Sequence, residues 1–303
     1  MSKRAFIFPG QGSQYIGMAK DLYDNYDIAK SIFNNSNQIM GTDLASICFE
    51  GPEDLLKQTK FTQPAIFVHS IIILELLKEK KQSPVAAAGH SLGEYSALVA
   101  AGALSFEDGL KLVKIRGELM QQAGIDLPGT MAAIIGLESE KIETICKETP
   151  GIVQPANFNS PGQVAISGEV TAVHKAMEKT KEAGAKKVIE LVVSGAFHSP
   201  LMESAQEGLS EALKQTEIKN ATIPVYTNVS AKPASDKNEI RELLYKQLTH
   251  PVRWMEIYIN MVNDGIDEFV EVGPGKVLTG LGKRINREIQ SQAIGTVEDI
   301  NNI

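Results

Sequence analysis

The stretch VAAAGHSLGEYSAL, residues 85–98, decides how the rest of the chain is read. Val85 to Gly89 is a run of small apolar residues that follows Pro84, and it reads as a short buried strand. Gly89-His90-Ser91-Leu92-Gly93 fits the pattern G-x-S-x-G, and an Ala- and Leu-rich helix follows it. A serine on a sharp turn between strand and helix stands above the sheet edge. The free N–H groups of the new helix, that of Leu92 among them, point at its hydroxyl and can hold a developing oxyanion. The plainer alternative is a tight glycine-bounded turn with an inert serine, which leaves the strand–turn–helix context unexplained.

The same alternation continues on both sides of this elbow. Ala5 to Phe8 reads as a strand ended by Pro9-Gly10, and helical patterns start near Met18 and cover 54–56 and 64–80. Strands alternating with helices predict an α/β fold with a parallel sheet. The middle has a rhythm of its own: strand 130–137, helix 138–147, strands 152–158 and 163–167, helix 171–183, strand 187–193. That βαββαβ order is the ferredoxin-like plan. We therefore expect a small subdomain at 126–194 inserted into a large domain made of 1–125 and 195–303. The large domain resumes with His198, strand 223–228, two helices, and strand 269–272 before Gly273-Pro274-Gly275.

Composition narrows the function. The 303 residues are 43% hydrophobic and 22% charged, so the chain can bury a sizeable core. The net charge of −7 gives no overall field for nucleic acid or an anionic membrane. Cys48 and Cys146 are the only cysteines, which excludes a disulfide framework, and neither has metal-type spacing. A reducing cytoplasm is expected. The longest apolar stretch, 64–77, contains His69, Ser70 and Glu75 and is expected not to span a bilayer. The opening MSKRAFIFPGQG has too short an apolar run for a signal peptide.

A serine nucleophile needs a base, and five histidines compete. His69 lies in an apolar helix and is expected in the core. His90 is inside the elbow, with its ring expected to point away from the hydroxyl. His174 sits among Lys and Glu and reads as surface, and His250 precedes Pro251 and reads as a turn. His198 follows the flexible Ser194-Gly195 at the return from small to large domain, where clefts form, and is the favoured base. Arg116 lies on a helix that starts at Ser105 with Asp108 as its capping partner. At 100° per residue it falls among Leu112, Val113, Leu119 and Met120. A guanidinium there needs an anion. An internal carboxylate and a substrate carboxylate fit equally well on spacing alone. The Pro9–Gln14 turn lacks the Lys and Ser/Thr of a nucleotide loop, because Met18 and Ala19 occupy those positions. It fits better as a source of a second oxyanion donor, with Gln11 the candidate.

Taken together, FIFPGQGSQ at 6–14, GHSLGEYSAL at 89–98, KIRGELM at 114–120, NSPGQVAISG at 159–168, GAFHSPLM at 195–202, QLTHPVRW at 247–254 and EVGPGKVLTGL at 271–281 lie in order along nearly the whole chain. In that combination the chain resembles the malonyl-CoA:acyl carrier protein transacylases and the related acyltransferase domains of polyketide synthases. The resemblance implies an α/β-hydrolase-like large domain with a ferredoxin-like subdomain. It implies a malonyl-Ser91 intermediate with His198 as base, and Gln11 and Leu92 as backbone oxyanion donors. It makes Arg116 the partner of the malonyl carboxylate, has the backbone carbonyl of Gln247 orient His198, and places Asn159 in the cleft wall. Phe197, within Gly195-Ala196-Phe197-His198, would leave no room for an α-methyl group, although the commonest polyketide form has His where Gly195 stands. No bound cofactor is implied. The substrates are a CoA thioester and the phosphopantetheine thiol of a transiently docked acyl carrier protein, and the family's default state is a monomer. Lys186-Lys187 and the region of Arg284 and Arg287 are candidate docking patches, equally readable as solvated charge. Three other readings compete: a trans-acting polyketide acyltransferase with the same chemistry, a serine thioesterase or hydrolase that uses water, and a non-catalytic carrier-docking protein.

Overall fold

A computed structural model describes residues 3–303, so the first two residues of the expected large domain lie outside the described part. The strands are β1 (Arg4–Phe8), β2 (Ala86–Gly89), β3 (Gly129–Ile135), β4 (Val153–Ser160), β5 (Gln163–Glu169), β6 (Lys187–Leu191), β7 (Val225–Tyr226), β8 (Pro233–Ala234), β9 (Glu268–Val272) and β10 (Gln290–Ile294). They form two sheets. The first has the order β10-β9-β1-β2-β7-β8 and is parallel except for the β7–β8 pair. Its centre reads as continuous apolar sequence because helices cover both faces. Ala5 to Phe8 and Ala86 to Ala88 are fully or almost fully buried.

The second sheet has the order β4-β5-β3-β6 and is antiparallel throughout. Helices Ser139–Lys147 and Val170–Glu182 lie against it. Ile142, Val173 and Ala176 from the helices meet Ala132, Ile134, Val164 and Ile166 from the strands in a core of its own. The predicted strand and helix order for this region therefore matches, with ends displaced by at most two residues.

The two sheets meet close to His198. Val252 pairs with Asn157 in an isolated bridge that extends the β4 edge. The Gln154 amide donates to the main-chain carbonyls of His198, at 2.8 Å, and Thr249, at 3.3 Å. On the other side Gly124 packs so tightly on the Ser194 carbonyl that a Cβ there would approach within 1.9 Å.

Two readings change, and one strand is new. The helix expected at 64–80 runs over Thr59–Glu79, with Pro64 inside it. It is long and apolar enough by length and composition to cross a membrane, and 83% of its most apolar window is buried in the fold. The strand expected at 223–228 keeps only Val225–Tyr226, because the main chain and side chain of Asn228 are committed to the elbow. Strand β10 escaped notice because its sequence, QSQAI, is that of a polar edge strand with alternating exposure.

Candidate active site

Register brings the site together. Phe8 and Gly89 are partners at the ends of β1 and β2, so the Pro9–Gln11 turn and the elbow emerge side by side. Ser91 adopts φ 51°, a left-handed conformation that costs a non-glycine residue on the order of 1–3 kcal/mol. The surroundings hold it there. The Ser91 N–H donates to Asn228 Oδ1 at 2.6 Å, and Asn228 Nδ2 donates to the Gly89 carbonyl at 2.6 Å. Close approach explains the flanking glycines: a Cβ on Gly93 would stand 2.1 Å from the Phe8 carbonyl oxygen, and one on Gly89 would stand 1.9 Å from Gly93.

His198 is 2% exposed, and its Nε2 lies 2.8 Å from Ser91 Oγ. Its Nδ1 faces the backbone carbonyls of Gln247 at 2.8 Å and His250 at 3.2 Å. Two carbonyls require a hydrogen on Nδ1, so Nε2 carries the lone pair that accepts from the serine. Among the described residues no carboxylate takes the usual third place in a triad. Burial, then the nearby charge of Arg116, push the imidazole pKa down to about 3, against the upward pull of the carbonyls. The ring is therefore neutral and able to accept a proton.

Arg116 is wholly buried. Its Nη1 donates to Gln63 Oε1 at 2.7 Å, and its Nη2 donates to Ser91 Oγ and to Gln247 Oε1, both at 2.9 Å. The Tyr95 ring lies 5.6 Å from the guanidinium carbon. Among the described residues no acidic side chain forms a direct ion pair with it. Its Nε has no hydrogen-bond partner. The internal-carboxylate reading of Arg116 thus fails on geometry. The cation and the hydroxyl, in direct contact, both line a cavity of about 100 Å³.

Gln11, Leu92, Phe197, Met120, Met131 and Asn157 help line that cavity. Asn159, expected in the cleft wall, is absent from this lining. It accepts from His90 Nε2 at 2.9 Å and so reaches the site only through that ring, while Asn157 supplies the lining amide. The His90 ring tilts against Trp254, 5.8 Å between centroids, and burial lowers its pKa. His69 is buried and donates to the Gly295 carbonyl, His174 is surface and faces Glu190, and His250 caps its own turn. Arg284 of the expected docking patch donates to Gln163.

Sequence reasoning missed Gln63, Glu94, Gln154 and Asn228. Glu94 and Gln63 did carry a signal, because each is a polar residue within an otherwise buried apolar helical run. Asn228 and Gln154 carried none, since their roles depend on contacts between distant segments.

The Acyl transferase domain family matches residues 5–299. The malonyl CoA-acyl carrier protein transacylase of Bacillus subtilis (strain 168) is 47% identical, over 99% of this chain and 96% of its own length. An acyl carrier protein S-malonyltransferase from Vibrio cholerae superposes with a TM-score of 0.95 at 43% identity, covering 99% of each chain. A malonyl-transacylase solved with its type II PKS acyl-carrier protein superposes with a TM-score of 0.96 at 41% identity, covering 99% of this chain and 98% of that one. With a serine elbow, a buried arginine facing it and relatives alike end to end, the chain belongs to the malonyl CoA-acyl carrier protein transacylase family.

Proposed function

We propose that this chain moves a malonyl group from malonyl-CoA to the phosphopantetheine thiol of an acyl carrier protein, through an ester on Ser91. The observation that carries the reading is a single oxygen with two partners. Ser91 Oγ accepts from Arg116 Nη2 at 2.9 Å and donates to His198 Nε2 at 2.8 Å. A nucleophile, its base and a carboxylate-sized cation share one small cavity.

His198 takes the Ser91 proton as Oγ bonds to the thioester carbon. The backbone N–H groups of Leu92 and Gln11 hold the oxyanion, each worth about 3 kcal/mol in comparable sites. The C–S bond then breaks, and the CoA thiolate leaves with the proton from His198. In the second half the carrier thiol gives its proton to His198 and attacks the ester carbon; the C–O bond then breaks, and Ser91 Oγ leaves with the proton from His198. The oxygen and sulfur esters lie close in energy, so the transfer runs in both directions.

Arg116 grips the free carboxylate of malonyl. This has a second effect. The charge of Arg116 is one cause of the depressed His198 pKa. A substrate carboxylate that neutralises Arg116 lifts that part of the depression, leaving the larger part due to burial, and an acetyl group does not. Phe197 and the main chain of Gln247 complete the site, the first by limiting room beside the α-carbon and the second by holding the imidazole.

The sheet order supports a finer description of the fold, an α/β-hydrolase-like large domain (1–125 and 195–303) carrying a ferredoxin-like unit (126–194). No bound cofactor is needed by these steps, and a cytoplasmic setting suits the two unpaired cysteines.

Intact-mass analysis after mixing with malonyl-CoA or acetyl-CoA tests the reading. Malonylation well ahead of acetylation, absent in Ser91→Ala, is expected. Equal acetylation discards the role of Arg116, and steady CoA release without a carrier protein favours a hydrolase.

A further inference from the structure

We propose that Glu94 is a positioning residue for the carboxylate clamp, because its carboxylate determines which end of the buried Gln247 amide faces Arg116. The proposal rests on the malonyl-transfer reading above. Gln247 is fully buried, and its Nε2 donates to the Ser91 carbonyl and to Glu94 Oε2, both at 3.0 Å. Both amide hydrogens are thereby used. Oε1 is left facing Arg116 Nη2 at 2.9 Å. A flipped amide would set its NH₂ against the guanidinium and its oxygen against a carboxylate and a carbonyl. Every one of those three contacts is repulsive.

The same Glu94 oxygen accepts from the Asn228 main-chain N–H at 2.8 Å. Asn228 in turn holds the Ser91 N–H and the Gly89 carbonyl. One carboxylate oxygen therefore stands behind both the clamp and the elbow. Glu94 is 1% exposed, on the first turn of the Gly93–Ala100 helix. Burial raises its pKa to about 7, while the bonds from Asn228 and Gln247 and the charge of Arg116 pull the other way. Placed one residue away, Glu94 acts through its acceptor oxygen on the Gln247 amide and leaves the guanidinium free of a directly paired carboxylate, which would block the substrate.

The test is single-turnover acylation of Ser91 by malonyl-CoA and by acetyl-CoA in wild type, Glu94→Ala and Glu94→Gln, each checked by thermal unfolding. Glu94→Gln keeps an acceptor oxygen at the same reach. In Glu94→Ala the malonyl kcat/KM is expected to fall about 10–100-fold, as displaced positioning groups commonly cause. Acetyl transfer, which does not use the clamp, falls less, so the malonyl-to-acetyl ratio drops. Glu94→Gln restores the ratio to near that of wild type. Equal falls for the two substrates in Glu94→Ala, or a ratio in Glu94→Gln no better than in Glu94→Ala, overturns the proposal. Should Glu94→Ala not fold, Glu94→Asp, with its carboxylate withdrawn by one methylene, is read on the same ratio. A wild-type chain without malonyl preference overturns the functional reading and this proposal with it. That failure is told apart because it shows before any substitution is made.

Discussion

Arg116 sits in a helix stripe where a leucine would pack with no desolvation penalty. Its presence there was visible from spacing, but its partner was not, because Gln63 and Gln247 approach from positions 53 and 131 residues away in the chain. His198 was reachable by elimination among five histidines, whereas the carbonyls that orient it have no side-chain signature at all. Substituting Arg116→Ala is expected to lower malonyl acylation about 100-fold relative to acetyl, the worth of a charge-assisted pair of bonds. Rapid-quench acylation with both thioesters measures it, and an unchanged ratio refutes the clamp. The acid limb of the acylation rate offers a second check. With the His198 pKa near 3 the base stays neutral, so kcat/KM for acetyl-CoA, which reports the free enzyme and does not use the clamp, should hold in wild type from neutral pH to well below 5. Removing the cation in Arg116→Gln raises that pKa, so the limb must move to higher pH. A limb near 6.5 in wild type contradicts the depression.

The elbow is the element most completely written in the sequence, since strand, glycines, serine and helix are contiguous. Elements built from polar or very short segments were harder to see. Strand β10 is a polar edge, and β7 is two residues long because the next residues leave the ladder to serve the serine turn. Tight contact between β1 and the elbow makes a sharp prediction. Gly93→Ala places a methyl 2.1 Å from the Phe8 carbonyl oxygen. The backbone must move, so a loss of about 3 kcal/mol in stability is expected, together with loss of acyl-enzyme formation. Urea unfolding and intact mass read the two effects, and a variant with wild-type stability would show that the turn can relax.

At the scale of the molecule, alternation of strand and helix was enough to read two sheets and the chain order that joins them. The seam between them was not legible, because it is made of main-chain groups and of amides such as Gln154. Buried neutral histidines make the whole fold sensitive to acid. Burial lowers the pKa of His69 to about 4 from an ordinary 6.5. The unfolded chain binds that proton first as pH falls, so the stability His69 contributes is present above 6.5 and is lost between 6.5 and 4. The slope is at most about 1.4 kcal/mol per pH unit. The destabilisation caused by His69→Gln should therefore be smaller at pH 5 than at pH 7, and denaturant titration at the two values checks it. A difference that grows on acidification contradicts the sign. The seam also bears on engineering. Gln154 belongs to the four-stranded unit, yet its amide braces the peptide of His198 from behind. A chimera that grafts this unit from a relative must carry an equivalent amide with it, or the imidazole arrives without its rear support.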